Sequence, residues 1–285
     1  GSLDNLGTLN VNLSNNAQSL AATAHINNSV TLDVQQGNMR LGVGGTHTSS
    51  FTGGANGSLE FSGGTHQLQA GSSITATNVE FSGQDAGGGV FHINGTYDAG
   101  NTRITGNTVN FNGANETVTL TQTAGVLSGT GTLSVSGLTT YSGGDMIGAG
   151  TTRAEGGLLL NGGFKDIQGE RNLVNVSGST ADWTAGDIRL LSTGSQLVNE
   201  AGAVMNISGA SRSLTGSGSL DNQGTLNVNL SDNAQTLAVA TRLNNTGSID
   251  VQQGILDSQT TTFTNSGLIR VAEDARMQTE RSLQN

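Results

Sequence analysis

Gly1 to Gln18 reads GSLDNLGTLNVNLSNNAQ, and Gly218 to Gln235 reads GSLDNQGTLNVNLSDNAQ. Further along, NNSVTLDVQQG (Asn27 to Gly37) returns as NNTGSIDVQQG (Asn244 to Gly254), so that residues 1–40 match 218–257 without a gap at an offset of 217. Both copies carry a shorter beat, in which two apolar residues spaced two apart recur about every 20 to 25 positions. A nested period of that size is the signature of a solenoid, because each turn buries its apolar face only against the turns above and below it.

The beat runs through the whole chain as Leu9/Val11, Leu32/Val34, Leu59/Phe61, Val79/Phe81, Phe91/Ile93, Val109/Phe111, Leu133/Val135, Leu158/Leu160, Val174/Val176, Met205/Ile207, Leu226/Val228, Ile249/Val251 and Ile269/Val271. A period of two marks a short strand that sends alternate side chains to one face. Between the pairs lie Gly-, Asn-, Ser- and Thr-rich pieces such as Ser82 to Gly89, which supply the backbone freedom and local hydrogen bonds of tight corners. An antiparallel sandwich also alternates strands and turns, but gives no reason for one register to recur at coil length. The expected fold is all-β, a single-stranded parallel β-helix (β-solenoid) of about 13 coils of roughly 20–25 residues, forming one continuous domain over 1–285 that is a fragment of a longer array.

Composition agrees with stacking. Proline is absent from all 285 residues, as expected where nearly every strand donates its N–H to a neighbouring coil. Charged residues make up 11% and Lys165 is the single lysine. Equivalent positions of stacked coils lie about 4.8 Å apart, where like charges repel while Asn, Ser and Thr hydrogen-bond along a column, so neutral polar outer faces are expected. The net charge of −10 argues against nucleic acid and anionic lipid, which call for a basic stripe. There is no cysteine, so stability rests on stacking and not on disulfides. The sequence shows neither a signal peptide nor an apolar run long enough to insert in a membrane.

Residues 272–285, with Glu273, Asp274, Arg276, Glu280 and Arg281, are the candidate for a capping helix, a charged edge or the start of further coils. The alternative to an excised array is a subunit whose open ends associate end to end.

The phrases LSGTGTLSVSG (Leu127 to Gly137), NQGTLNV (Asn222 to Val228) and NNTGSIDV (Asn244 to Val251) resemble the repeats of large bacterial exoproteins of the filamentous-haemagglutinin and autotransporter-passenger kind. The resemblance covers essentially the whole chain and is one of rhythm and composition. It implies a β-helical stalk or adhesin at the bacterial cell surface, and carries over no catalytic residue.

Parallel β-helices also include polysaccharide lyases and hydrolases, which gather carboxylates and arginines on one face. The densest such region holds Asp166, Glu170, Arg171, Asp182, Asp187 and Arg189. Tyr141 and Trp183 flank it two coil lengths apart, so that Tyr141, Trp183, Asp182, Asp187 and Arg189 are the candidate glycan-binding face. No adjacent aspartate pair or repeated carboxylate column is legible, which sets catalysis below binding. His25, His47, His66 and His92 recur near once per coil, but no third ligand follows their spacing, so surface histidines are expected and no metal or other cofactor. The glycine clusters lack a following helix and a Gly-Lys-Ser/Thr step, and are corners, not phosphate loops. Asn-x-Ser/Thr sequons such as Asn94-Gly95-Thr96 follow from composition, and Thr-x-Thr columns suited to ice are not sustained.

The expected function is that of a structural and adhesive stalk segment of a secreted bacterial surface protein, contacting glycans or another cell surface. A carbohydrate-active β-helix enzyme and a self-assembling filament subunit are the alternatives. On the expected faces, Val135 points inward and Thr139 outward.

Overall fold

A computed structural model describes residues 1–85, 88–259 and 262–279. The described residues form no helix; their parallel strands stack as a β-solenoid of about 13 turns. Contacts divide the chain into two compact units, Gly1–Ser136 and Gly137–Asn285.

Most coils contribute three strands, each lying in register on its counterpart in the coil before and the coil after. In the first unit, Leu9, Leu32, Phe51, Ile74 and Tyr97 form one such column, and Leu41, Phe61 and Phe81 part of another. In the second unit, Leu173, Leu197, Leu220, Leu243 and Phe263 stack through four successive pairings. Alternation puts these side chains inside, and the interior of each unit is a thin apolar core with most members fully buried.

The two interiors differ in kind. Phe51, Phe61, Phe81, Phe91, Phe111 and Tyr97 form a continuous aromatic cluster in the first unit, with Phe61 stacked on Phe81 at 5.5 Å and Tyr97 edge-on to Phe111 at 5.0 Å. Leucine, isoleucine, valine and methionine fill most of the second, around Tyr141 and Trp183.

Beside the apolar columns runs a ladder of asparagines, buried except for the half-buried Asn265. In the first unit Asn5 Nδ2 donates to Asn28 Oδ1 at 2.7 Å. In the second, Asn175, Asn199, Asn222, Asn245 and Asn265 form an unbroken relay at 2.6 to 2.8 Å, each amide donating to the carbonyl oxygen of the next. Several amides use their second N–H on a main-chain carbonyl of the following coil, as Asn199 does on Thr225 and Asn222 on Ser248. A buried side-chain amide that satisfies both its own coil and its neighbour's corner stabilises the turn and fixes the register.

The superrepeat is structural as well as textual. Ser2 pairs with His25 as Ser219 pairs with Arg242, and Thr8 with Thr31 as Thr225 with Ser248. The register slips at the same place in both copies, between Val11 and Asn12 and between Val228 and Asn229.

Three expectations need correction. At Val174/Val176 the inward pair is Leu173/Asn175: the stretch fits either phase of a two-residue period, and the ladder claims Asn175. Thr139 is fully buried, because its strand stacks on Leu158–Leu160 with Thr139 opposite the inward Leu158. Residues 272–279 form a turn and the strand Arg276–Thr279, not a helix, since that strand continues the ladder of Ile255–Ser258; Glu280 and Arg281 lie outside the described residues.

Candidate functional site

The second unit places Asp145, Asp166 and Arg189 at one register position of three successive coils. Stacking sets them about 4.8 Å apart along the column. Arg189 grips Asp166 with two N–H groups, Nε to Oδ1 at 2.6 Å and Nη2 to Oδ2, a bidentate geometry that fixes both side chains. Its guanidinium also lies 5.3 Å from the centre of the Phe164 ring. Partial burial, then the neighbouring Asp166 carboxylate, pushes the Asp145 carboxyl above its ordinary value, with Arg189 opposing. Phe164 is 63% exposed, alone among the described Phe, Tyr and Trp rings in facing solvent. Beside it, Gly163, Gly186, Asp187 and Ser211 line a shallow groove of about 270 Å³.

This arrangement amends the expected glycan face. Tyr141 and Trp183 do share a column two coils apart, with Leu160 between them, but the column is interior and both rings are fully buried. The Tyr141 hydroxyl is held by the carbonyls of Gly144 and Asp166, and Trp183 Nε1 donates to Gly186 O at 2.7 Å. Large aromatics two residues apart from other apolar positions follow the core phase of the strand, which the wider spacing argument overlooked. Of the other three, Asp182 is exposed and accepts from Asn206, Asp187 accepts the amide N–H of Ser213, and Arg189 belongs to the charged column.

Arg171 is also not on the surface. It points into the core, donates from Nη2 to Thr152 Oγ1 at 2.6 Å, and leaves Nε and Nη1 without partners. Burial lowers its guanidinium to about 10. The single lysine has a corner role: Lys165 Nζ donates to the carbonyls of Asn161, Gly163 and Ala185, joining the turns of two adjacent coils. Burial, then repulsion from Arg212, lowers it to about 8. Arg212 repeats the device one coil on, with donors on Trp183 O, Thr184 O and Ala210 O.

The first unit holds a second charged column, Arg40, Glu60, Glu80 and Arg103, in register over four coils. Here two carboxylates stack directly and an arginine flanks each end: Arg103 Nε is 3.4 Å from Glu80, and Arg40 Nη2 is 2.7 Å from Asp85. Glu60 is almost fully buried and accepts from Asn38 and Ser82. Outer faces are therefore not uniformly neutral. Carboxylate columns exist, and the sequence hid them because their members are about 20 residues apart and differ in type.

The histidines are not one surface set. His47 and His66 are inside the aromatic core, stacked 5.2 Å apart with Nε2 and Nδ1 at 2.9 Å. Burial, then mutual repulsion, lowers His47 to about 3, and burial lowers His66 to about 4, so both are neutral near pH 7. His25 is exposed and His92 half-buried, each on a different register position. No group of three or more metal-ligating side chains occurs among the described residues, nor any helix long and apolar enough to cross a membrane.

No family model, curated protein or solved structure matches the chain.

Proposed function

We propose that the chain is a structural and adhesive stalk segment of a secreted bacterial surface protein, similar in kind to the filamentous-haemagglutinin and autotransporter-passenger repeats, and that its coil faces contact glycans or another cell surface. The observation that carries this reading is the conservation of register between the two superrepeat copies, down to the same bulge. What the repeated sequence encodes is the way coils stack, and stacking is the property a stalk needs. The exposed Phe164 beside Arg189 and Asp187 offers the apolar surface and polar rim on which a sugar ring could rest. Two experiments test the proposal. Antibodies raised against the chain should label intact cells of the source organism; labelling only after lysis would refute a surface role. A glycan array probed with the chain should lose signal on Phe164→Ala and keep it on Asp182→Ala; equal loss would remove the assigned face.

A second reading, a carbohydrate-active enzyme, draws support from the Asp145 and Asp166 pair on neighbouring coils. Parallel stacking puts both carboxyls on the same face of adjacent coils, the paired arrangement that two-carboxylate glycosidases use. Release of reducing ends from acidic or neutral polysaccharides, abolished by Asp145→Asn, would favour this reading over the stalk.

A further inference from the structure

Arg171 breaks the pattern of its own column. One residue ahead of the strands that begin at Thr151, Asn172, Gln196, Ser219 and Arg242, successive coils carry Gly150, Arg171, Ser195, Gly218 and Thr241. All five are buried, and four of them are small, as suits a closed corner. Only Arg171 sends a long charged chain from that corner into the interior. At the second residue of the same strands, Thr152 stands where the next four coils place Leu173, Leu197, Leu220 and Leu243. The two departures meet, since Arg171 Nη2 donates to Thr152 Oγ1 at 2.6 Å. A polar pair is thus set into a leucine-lined core.

The pair is not satisfied. Both residues are fully buried, and the N–H groups of Arg171 Nε and Nη1 have no acceptor. Nor does the charge have a counterpart. No ion pair among the described residues includes Arg171, and Glu170, next to it in sequence, is exposed. The Tyr141 hydroxyl, whose charge would favour the guanidinium, is held neutral by burial, which raises it well above its ordinary value. A guanidinium does not shed its proton near pH 7 to escape such a site. An unpaired charge in a dry interior is strongly unfavourable, and a water molecule would satisfy an N–H while leaving the charge in place.

We propose that the second unit encloses a small monovalent anion, chloride in ordinary buffers, seated against the Arg171 guanidinium on an edge that Thr152 does not occupy. The anion accepts an open N–H and neutralises the buried charge together. Gly150 and Ser195, the neighbours of Arg171 in its column, bring no long side chain to compete for that edge. Because the pair is shut off from solvent, the anion enters as the coils close during folding, and a bulky anion is kept out. It is a structural ligand of the folded chain, and mass action makes stability depend on its concentration.

Urea refolding of the full chain at pH 7, in sodium chloride and in sodium gluconate of equal ionic strength, tests the proposal. Once chloride exceeds its dissociation constant, each further tenfold rise should increase the folding equilibrium constant about tenfold. The urea midpoint should climb accordingly, while gluconate, too large for a closed interior, gives only the general effect of salt. Arg171→Met keeps an unbranched side chain and removes the charge, and should refold with the same midpoint in both salts. Arg242→Met, at an exposed arginine, should keep the chloride dependence. Crystals of the unaltered chain grown from bromide should show an anomalous-scattering peak within hydrogen-bonding distance of Arg171 Nε or Nη1, a readout that holds even if Arg171→Met does not fold. Coincident midpoints of the wild type in the two salts would overturn the proposal and assign the open N–H groups to water. Chloride dependence that survives Arg171→Met, or bromide found only on the outer surface, would overturn it as well.

Discussion

Replacing Asn222 by alanine interrupts the ladder at its middle. The buried amide accepts from Asn199 at 2.8 Å and donates to Asn245 Oδ1 at 2.7 Å and to Ser248 O at 2.8 Å. Asn199 keeps a second acceptor on Thr225 O, but Asn245 Oδ1 loses its donor in a dry interior. Losing hydrogen bonds worth about 0.5–1.5 kcal/mol each, and stranding a buried acceptor at about 1–3 kcal/mol, puts the cost near 3 kcal/mol. Asn227→Ala is the control: its amide makes one bond, to Asn206, on a half-buried outer column, and should cost about 0.5 kcal/mol. Solenoid stability is a sum over coils and their interfaces, so the damage should be local. Amide hydrogen exchange read by mass spectrometry should show peptides between Asn199 and Asn245 exchanging roughly a hundredfold faster in Asn222→Ala, from about 1.4 kcal/mol per tenfold. Peptides around Leu158 should be unchanged. Equal effects from the two alanines, or acceleration spread evenly over the unit, would refute the idea that the ladder carries stability.

Three further outcomes follow from the structure. The imidazoles of His47 and His66 are held in the folded state well below 6.5, at about 3 and about 4, so the unfolded chain binds protons that the folded chain does not; stability should therefore fall as pH drops from about 6.5 toward 4, by up to about 1.4 kcal/mol per pH unit for each histidine. The double variant His47→Leu, His66→Phe, taking the residues opposite them in the next coil, should lessen that slope in urea titrations at pH 7 and 4.5; an unchanged slope would clear the pair of any role. Val135→Asp buries an unpaired carboxylate and should cost several kcal/mol, whereas Thr140→Asp, on the half-buried face between inward Thr139 and Tyr141, should be much milder; coincident melting temperatures would contradict these faces. A Cβ on Gly224 would lie 2.2 Å from Ala203 O in the coil below, so Gly224→Ala must displace main chain and should cost about 1–3 kcal/mol. The loss is visible as a lower urea midpoint, and full retention of that midpoint would show that the coils yield more easily than this approach suggests.

The fold was legible because one constraint repeats. Leu32/Val34, Leu133/Val135 and Met205/Ile207 sit inside as their alternation requires, and the absence of proline fits coils paired above and below. The phase failed at Val174/Val176, where apolar residues run together as Leu173-Val174 and period two alone does not choose between faces. Candidate site residues were harder to read, because lateral neighbours in a solenoid are separated by a coil length that varies: Asp145 meets Asp166 after 21 residues, Asp166 meets Arg189 after 23, and Glu60 meets Glu80 after 20. Without the exact coil length at each step, Tyr141 and Trp183 looked like surface partners and the charged columns stayed invisible. Phe164 was missed for a related reason: it follows Gly162-Gly163 at a corner, outside the alternating pattern that identifies strands.

Trp183 is the chain's sole tryptophan, fully enclosed, with its indole N–H engaged by Gly186 O and the Arg212 guanidinium 5.6 Å from its ring. Its light emission is consequently a natural gauge of one winding in the second unit. A blue, shielded signal marks that winding as shut, and a red shift dates the moment water enters it, so fraying there can be followed without attaching any dye.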